Sequence, residues 1–204
     1  MDARVAVLVS GAGTNLQALL DDPAVGPHIV LVVSDRAEAG GLDRARSAGV
    51  RARVLDPTQH PSRDAYGLAL LDVLWAEEVD LVALAGFMRI LSGQVVRAFE
   101  GRMLNVHPSL LPAFPGATAV RDALAWGVRV AGVTVHVVDE EVDHGPVVFQ
   151  EAVPVRLDDD EASLHARIQK VEHRLYPLAL RLLIEGRLKV DGRVVHVVGE
   201  GDRR

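Results

Sequence analysis

The chain has 204 residues, of which 49% are hydrophobic and 25% charged, with a formal net charge of -6. That composition can fill a folded core and excludes an intrinsically disordered chain. The absence of cysteine excludes disulfides and thioester chemistry, and the acidic balance argues against a broad nucleic-acid surface.

The chain start reads as a first strand. MDARVAVLVSGAG has an acidic second residue and an early glycine turn, unlike a signal peptide. No apolar run approaches the roughly 20 residues of a membrane span. We therefore expect a cytoplasmic protein that acts on small molecules and has no nucleic-acid or membrane partner.

The first hundred residues alternate short β-branched runs with segments of helical length. This alternation is typical of parallel strands joined by crossover helices, and it predicts a doubly wound α/β sheet. The predicted strands are residues 4–10, 28–34, 52–55, 80–85 and 102–106. The predicted helices between them are residues 15–20, 41–48, 62–77 and 93–99.

The pattern changes after Pro108. Together with Pro112 and Pro115 it predicts a surface loop over residues 109–120. The predicted elements that follow are antiparallel strands at 128–138 and 147–153, then a long helix from the DDDEAS segment to about residue 185. Two alternating runs about Asp191 and Gly192 predict a type I′ hairpin.

The segment SGAGTN, residues 10–15, follows the first predicted strand and opens the first helix. Free backbone N–H groups and the helix dipole favour an anion at such a position, and Gly11 and Gly13 permit close approach. The pattern lacks the third glycine of a dinucleotide fingerprint and the GK[ST] of a Walker loop, so a single phosphate fits better. The alternative is a glycine turn in which Ser10 or Thr14 caps the helix.

Asn105 and His107 leave the fifth predicted strand two residues apart, so both point to the same side of an extended chain. An amide and an imidazole donor suit a developing oxyanion. Asp143, in the turn EEVDHGPV, would raise the pKa of His107 and keep it cationic if the two meet. The alternatives are a structural histidine before a proline turn and a solvated turn acid. The direction of His136 stays open.

Two further segments can line a pocket. AGFMRILS, residues 85–92, follows a buried strand at the end where open α/β sheets bind ligands, although its apolar residues can instead close the core. Gln169, Glu172 and His173 share one helix face, whose alternative is a solvated surface. No HExxH motif is present, and we expect no metal.

Five segments together resemble one family: SGAGTNLQALL, LAGFMRILS, LNVHPSLLPAFPG, GVTVHVVDEEVDHGPV and QKVEHRLYP. They are similar to phosphoribosylglycinamide formyltransferase of the folate-dependent type, over nearly the whole chain. HPSLLP is shared by several formyl-tetrahydrofolate enzymes, and SGAGTNL narrows the choice. The resemblance implies a Rossmann-like formyltransferase fold, with a mostly parallel sheet and antiparallel strands toward the C-terminus. It also implies one domain over residues 1–204, with a nucleotide-binding lobe at about 1–100 and a folate and catalytic lobe at about 101–204.

The resemblance implies a chemistry. N10-formyltetrahydrofolate is the expected co-substrate, and glycinamide ribonucleotide is the expected acceptor in de novo purine biosynthesis. The acceptor amine attacks the formyl carbon directly, without an acyl-enzyme. Asn105 and His107 are implied to hold the oxyanion, while Asp143 keeps His107 charged and passes on the proton of the amine.

The resemblance also implies binding residues. Those for the acceptor are Gly11, Gly13, Thr14, Asn15, Gln169 and Glu172. Those for the folate are Arg63, Met88, Arg89, Ile90, Leu91, Val138, Asp139 and Glu140. A monomer and a homodimer both stay open.

One departure from the family concerns the loop after Gly116. Relatives usually carry a histidine there, whereas this chain has Ala117, Thr118 and Ala119. Three alternatives follow from this and from the shared motif. A methionyl-tRNA formyltransferase is disfavoured by length and acidic charge, a formyltetrahydrofolate deformylase shares the Asn, His and Asp, and a non-enzymatic folate or nucleotide sensor would bind without turnover.

Overall fold

The structure, a computed structural model, describes residues 3–199. Contacts divide the chain into two compact units, with the division between Leu104 and Asn105. No helix within residues 3–199 combines the length and the apolar composition that crossing a bilayer requires.

In the described part of the first unit, parallel strands form a sheet in the order β3-β2-β1-β4. The strands are β1 (Val5–Val9), β2 (Ile29–Ser34), β3 (Arg51–Val54) and β4 (Leu81–Leu84). A helix follows each strand in turn, and these are α1 (Thr14–Asp21), α2 (Gly40–Ser47), α3 (Arg63–Ala76) and α4 (Gly93–Ala98). Strands β1 and β4 are buried along their whole length, which explains their uninterrupted apolar sequences.

Strand β5 (Met103–His107) crosses the division, so its last three residues open the second unit. The elements that follow are α5 (Ala119–Trp126), β6 (Val130–Val137), β7 (Val147–Pro154), α6 (Glu161–Ile184), β8 (Leu188–Asp191) and β9 (Val194–Val197). Strands β6 and β7 pair antiparallel, as do β8 and β9, whereas β7 and β9 are parallel. Helix α6 packs against β6, β7 and α5.

The predicted fold class is confirmed: parallel strands joined by helices come first, and antiparallel pairs follow. Two details differ. Helix α5 forms where no element was predicted beyond residue 120. The hairpin turn is not of type I′, because Asp191 pairs with Val194 and Arg193 is not among the described residues with positive φ. Type I′ requires positive φ at both central residues, and here Gly192 alone has it, at 56°.

Candidate active site

Asn105, His107 and Asp143 lie close together in the second unit. Nδ2 of Asn105 is 3.3 Å from Oδ1 of Asp143, and Nδ1 of His107 is 3.4 Å from Oδ2. Strand β5 supplies the first two side chains, and the loop between β6 and β7 supplies the third. The structure thus brings together the three residues that the sequence proposed as catalytic.

The loop that carries Asp143 has a constrained backbone. Asp143 has φ 51°, the left-handed region that aspartate adopts more readily than most residues. Gly145 is buried, and a Cβ there would lie 1.8 Å from the carbonyl oxygen of Val137. The N–H of Val137 donates to the carbonyl of Pro146 over 2.9 Å. Only glycine at position 145 lets the chain return this closely, and this tight return fixes Asp143 between the strands.

His136 is a fourth member of the cluster. Its side chain is 2% exposed, and Nε2 lies 3.1 Å from Nδ2 of Asn105 and 3.7 Å from Oδ1 of Asp143. The sequence left its direction open. The signal that could have found it is the histidine itself, because a histidine in a mostly apolar strand needs a polar partner when it is buried.

The proline-rich loop contacts the same side chains through its backbone. Nε2 of His107 donates to the carbonyl of Phe114 over 2.8 Å, and the N–H of Gly116 donates to Oδ2 of Asp143 over 2.7 Å. Thr118, at the departure from the family pattern, donates its hydroxyl to Asp122 in α5 over 2.6 Å. Main-chain atoms of the predicted loop therefore contact His107 and Asp143, and residue types do not reveal such contacts.

Electrostatics in the cluster differ from the expectation at His107. Burial lowers the pKa of His107, and this outweighs the opposing effect of Asp143 and of the Phe114 carbonyl. For Asp143, burial raises the pKa, but His136, the N–H of Gly116 and His107 together bring it below its usual value. The expectation of a permanently cationic His107 is therefore wrong, because the desolvation of a 4% exposed imidazole is the larger effect. The site at rest holds a neutral imidazole beside a carboxylate.

The SGAGTN loop connects β1 to α1 as predicted, but the alternative that Ser10 caps the helix is wrong. The N-cap position is Gly13, with φ 72°, and it has no side chain to accept a hydrogen bond. Ser10 instead accepts from the backbone N–H of Met88 over 2.8 Å. Gly11 is exposed, whereas Thr14 and Asn15 are half-buried at the first turn of α1. Backbone N–H groups at the first turn of a helix are the ones that an anion can use.

The predicted folate segment follows β4, and most of it is open to solvent. Met88 and Ile90 are each 58% exposed, and Leu91 is half-buried. Nε of Arg89 donates to Asp35 over 2.8 Å. Phe87 alone among the apolar side chains at positions 87, 88 and 90 closes the core, so the core-closing alternative fails for the other two.

The remaining predicted residues lie in three places. Arg63 is the exposed first residue of α3, capped by Ser62. Val138 and Asp139 are half-buried and Glu140 is exposed, directly after β6. On α6, Gln169 is half-buried and Glu172 is only 3% exposed. The alternative of a solvated helix face is therefore wrong for Glu172.

Metal ligation has no candidate in the part of the chain that the structure describes. Among residues 3–199, no group of three or more His, Asp or Glu side chains is placed to hold a metal ion.

Known proteins resemble this chain over almost its whole length. The profile of the family described as formyl transferase matches residues 3–180. A glycinamide ribonucleotide transformylase 1 from Symbiobacterium toebii superposes with a TM-score of 0.93 at 52% identity, covering 97% of this chain and 94% of that one. The chain belongs to the formyl transferase family.

Relatives in that family differ in length. A phosphoribosylglycinamide formyltransferase from Mycobacterium tuberculosis is 47% identical over 193 residues, which are 94% of this chain and 89% of the relative. The trifunctional purine biosynthetic protein adenosine-3 of Bos taurus is 48% identical over 200 residues, but the chain spans only 20% of its length. Within the family, the chain belongs to the phosphoribosylglycinamide formyltransferases, as its sequence predicted.

Proposed function

We propose that this chain transfers the formyl group of N10-formyltetrahydrofolate to the amine of glycinamide ribonucleotide, a step of de novo purine biosynthesis in the cytoplasm. The observation that carries the proposal is the convergence of Asn105, His107 and Asp143 within 3.4 Å. Relatives of nearly the same length bear the name phosphoribosylglycinamide formyltransferase, which supports the choice of acceptor.

Asn105 and His107 are the proposed oxyanion donors. The attack of the acceptor amine on the formyl carbon turns the carbonyl oxygen into an oxyanion, and preorganised N–H groups stabilise that charge. His107 is neutral before the reaction because burial lowers its pKa. A negative charge forming beside the imidazole raises its pKa again, so His107 donates most strongly when the charge is present.

Asp143 is the proposed proton acceptor. Its lowered pKa keeps it ionised at neutral pH, as an acceptor of a proton from the attacking amine must be. The intermediate then collapses: the carbonyl re-forms, the bond from carbon to N10 breaks, and N10 takes up the proton that the amine lost. The products are the formylated amine and tetrahydrofolate, and no atom of the enzyme changes its bonding.

Further residues are proposed to bind the two substrates. The turn at Gly11, Gly13, Thr14 and Asn15 takes the phosphate, and Gln169 and Glu172 take the ribose. The folate residues are Arg63, Met88, Arg89, Ile90, Leu91, Val138, Asp139 and Glu140. The exposed apolar side chains of Met88 and Ile90 support this, since a flat pterin ring buries apolar surface.

Replacement of Asp143 by asparagine tests the proposal. Asp143→Asn keeps the shape but removes the proton acceptor, so turnover falls by about two to four decades while the KM for glycinamide ribonucleotide changes little. Glu141→Gln is the matched control, because Glu141 lies in the same loop with its side chain 76% exposed. Turnover of Asp143→Asn equal to that of Glu141→Gln contradicts the assigned role.

A further inference from the structure

Two buried polar side chains, those of Ser10 and Asp35, accept hydrogen bonds from the segment of residues 86–91. Ser10, at the end of β1, is 4% exposed. Its hydroxyl accepts from the N–H of Met88 over 2.8 Å, and its own N–H donates to the carbonyl of Gly86 over 3.1 Å. The segment is thereby joined twice to Ser10, the residue that directly follows β1.

Asp35, at the end of β2, holds the same segment at a second point. Its side chain is 0% exposed, and Oδ2 accepts from Nε of Arg89 over 2.8 Å, while the Arg89 side chain is 46% exposed. Oδ1 of Asp35 is buried and makes no hydrogen bond within residues 3–199. A buried carboxylate needs a paired cation, so Arg89 is confined to this position by the cost of leaving Asp35 alone.

The two contacts leave a particular surface exposed. The backbone at Met88 and the guanidinium of Arg89 are fixed, while the apolar side chains of Met88 and Ile90 point into solvent with 58% of their area exposed. Exposed apolar side chains on a fixed backbone form a binding surface that loses little conformational freedom when a ligand arrives.

We propose that Ser10 and Asp35 are positioning residues for the folate, acting through Met88 and Arg89 rather than on the reacting atoms. The proposal rests on the proposed function, since it names the folate as the ligand of residues 86–91. It gives Ser10, the first residue of the SGAGTN segment, a different role from the residues of that segment that are proposed to bind the phosphate.

Steady-state kinetics of Asp35→Asn and Ser10→Ala test the proposal, with both substrates varied in turn. Each variant is expected to raise the KM for N10-formyltetrahydrofolate by about tenfold, an effect of the size that the loss of a contact between neighbouring residues typically has. The KM for glycinamide ribonucleotide and kcat stay within about twofold of wild type, because no group at the reacting atoms moves. Asp72→Asn is the matched control, since Asp72 is exposed on α3 in the same unit and loses the same charge.

A double variant separates positioning from general weakening of the fold. If Asp35 acts through Arg89, Asp35→Asn adds nothing to the KM of Arg89→Gln. An additional rise there, or a loss of kcat with unchanged folate KM, overturns the inference. If Asp35→Asn does not fold, Ser10→Ala decides by the same criterion. A wild-type protein that does not use N10-formyltetrahydrofolate refutes the proposed function, whereas an active wild type with variants like Asp72→Asn refutes only this inference.

Discussion

At His107, burial and the Asp143 carboxylate act on the imidazole in opposite directions, and burial has the larger effect on its pKa. In the proposed mechanism, the positive charge with which His107 stabilises the oxyanion therefore comes from the reaction and is absent before it. A histidine that was cationic throughout would attract anions before the formyl donor arrives. Under the proposal, a neutral buried imidazole would make its strongest hydrogen bond only when the intermediate is charged.

The lowered pKa of His107 also predicts a dependence of stability on pH. The folded chain binds a proton at His107 less readily than the unfolded chain, where the pKa is about 6.5. This contribution to folding is complete above about pH 6.5 and is lost as the pH falls through the folded pKa. Asp143, whose pKa is lowered from 3.8, makes its own contribution and loses it only at more acidic pH.

Urea unfolding at a series of pH values measures this effect. His107→Asn removes the titrating group, so its unfolding midpoint falls less steeply than that of wild type between about pH 7 and pH 5. His165→Asn, on the exposed side of α6, controls for the loss of a histidine as such. If the unfolding midpoints of wild type and His107→Asn change with pH in parallel, burial does not lower the pKa of His107.

At the scale of elements, the SGAGTN loop depends on a close approach of two helix starts. A Cβ on Gly13 would lie 2.6 Å from Cα of Gly41, the second residue of α2, and Gly13 has φ 72°. The glycine is therefore required both by its backbone conformation and by its neighbour. This spacing brings the exposed loop and the start of α2 together at the end of the parallel sheet, where ligands bind in such folds.

Alanine at position 13 separates these two requirements. Gly13→Ala is expected to lower the free energy of unfolding by about 2–4 kcal/mol, the sum of left-handed strain and overpacking. Gly49→Ala is the matched control, since Gly49 has φ 73° and nothing within 4 Å of an added Cβ. It should lose only about 1–2 kcal/mol from strain. Equal losses in the two variants, measured by urea unfolding, contradict the role of the helix contact.

Most elements were predictable from the sequence because buried apolar residues recur with the period of the strand or the helix. The first strand was predicted at residues 4–10 and lies at Val5–Val9, and the long helix predicted to about residue 185 ends at Ile184. Helix α5 was missed because it begins one residue after Thr118, directly behind the proline-rich loop. The predicted type I′ turn was wrong because Asp191 pairs with Val194, which makes Arg193, rather than Asp191, a central residue of the turn.

At the scale of the molecule, the candidate site was predictable to the extent that it sits in local motifs. Asn105 and His107 lie on the fifth strand, and Asp143 lies in the turn between the next two strands, and the sequence pattern locates these elements. His136 and the Phe114 carbonyl were not predictable, because their positions depend on the pairing of β6 and on main-chain geometry in the loop. Asp143 raises the pKa of His107 as predicted, but burial lowers it more, so the net shift is downward. The burial of a side chain depends on the packing of the whole unit, and a local motif does not show it.

Acceptor dependence is the most direct measurement of the central claim. Purified protein is mixed with N10-formyltetrahydrofolate and glycinamide ribonucleotide, and tetrahydrofolate and the formylated ribonucleotide are quantified, with the acceptor omitted in a parallel reaction. We expect the two products to form in equal amounts, and neither tetrahydrofolate nor formate to appear without the acceptor. Formate release without the acceptor, or folate binding with no turnover in either reaction, would contradict it.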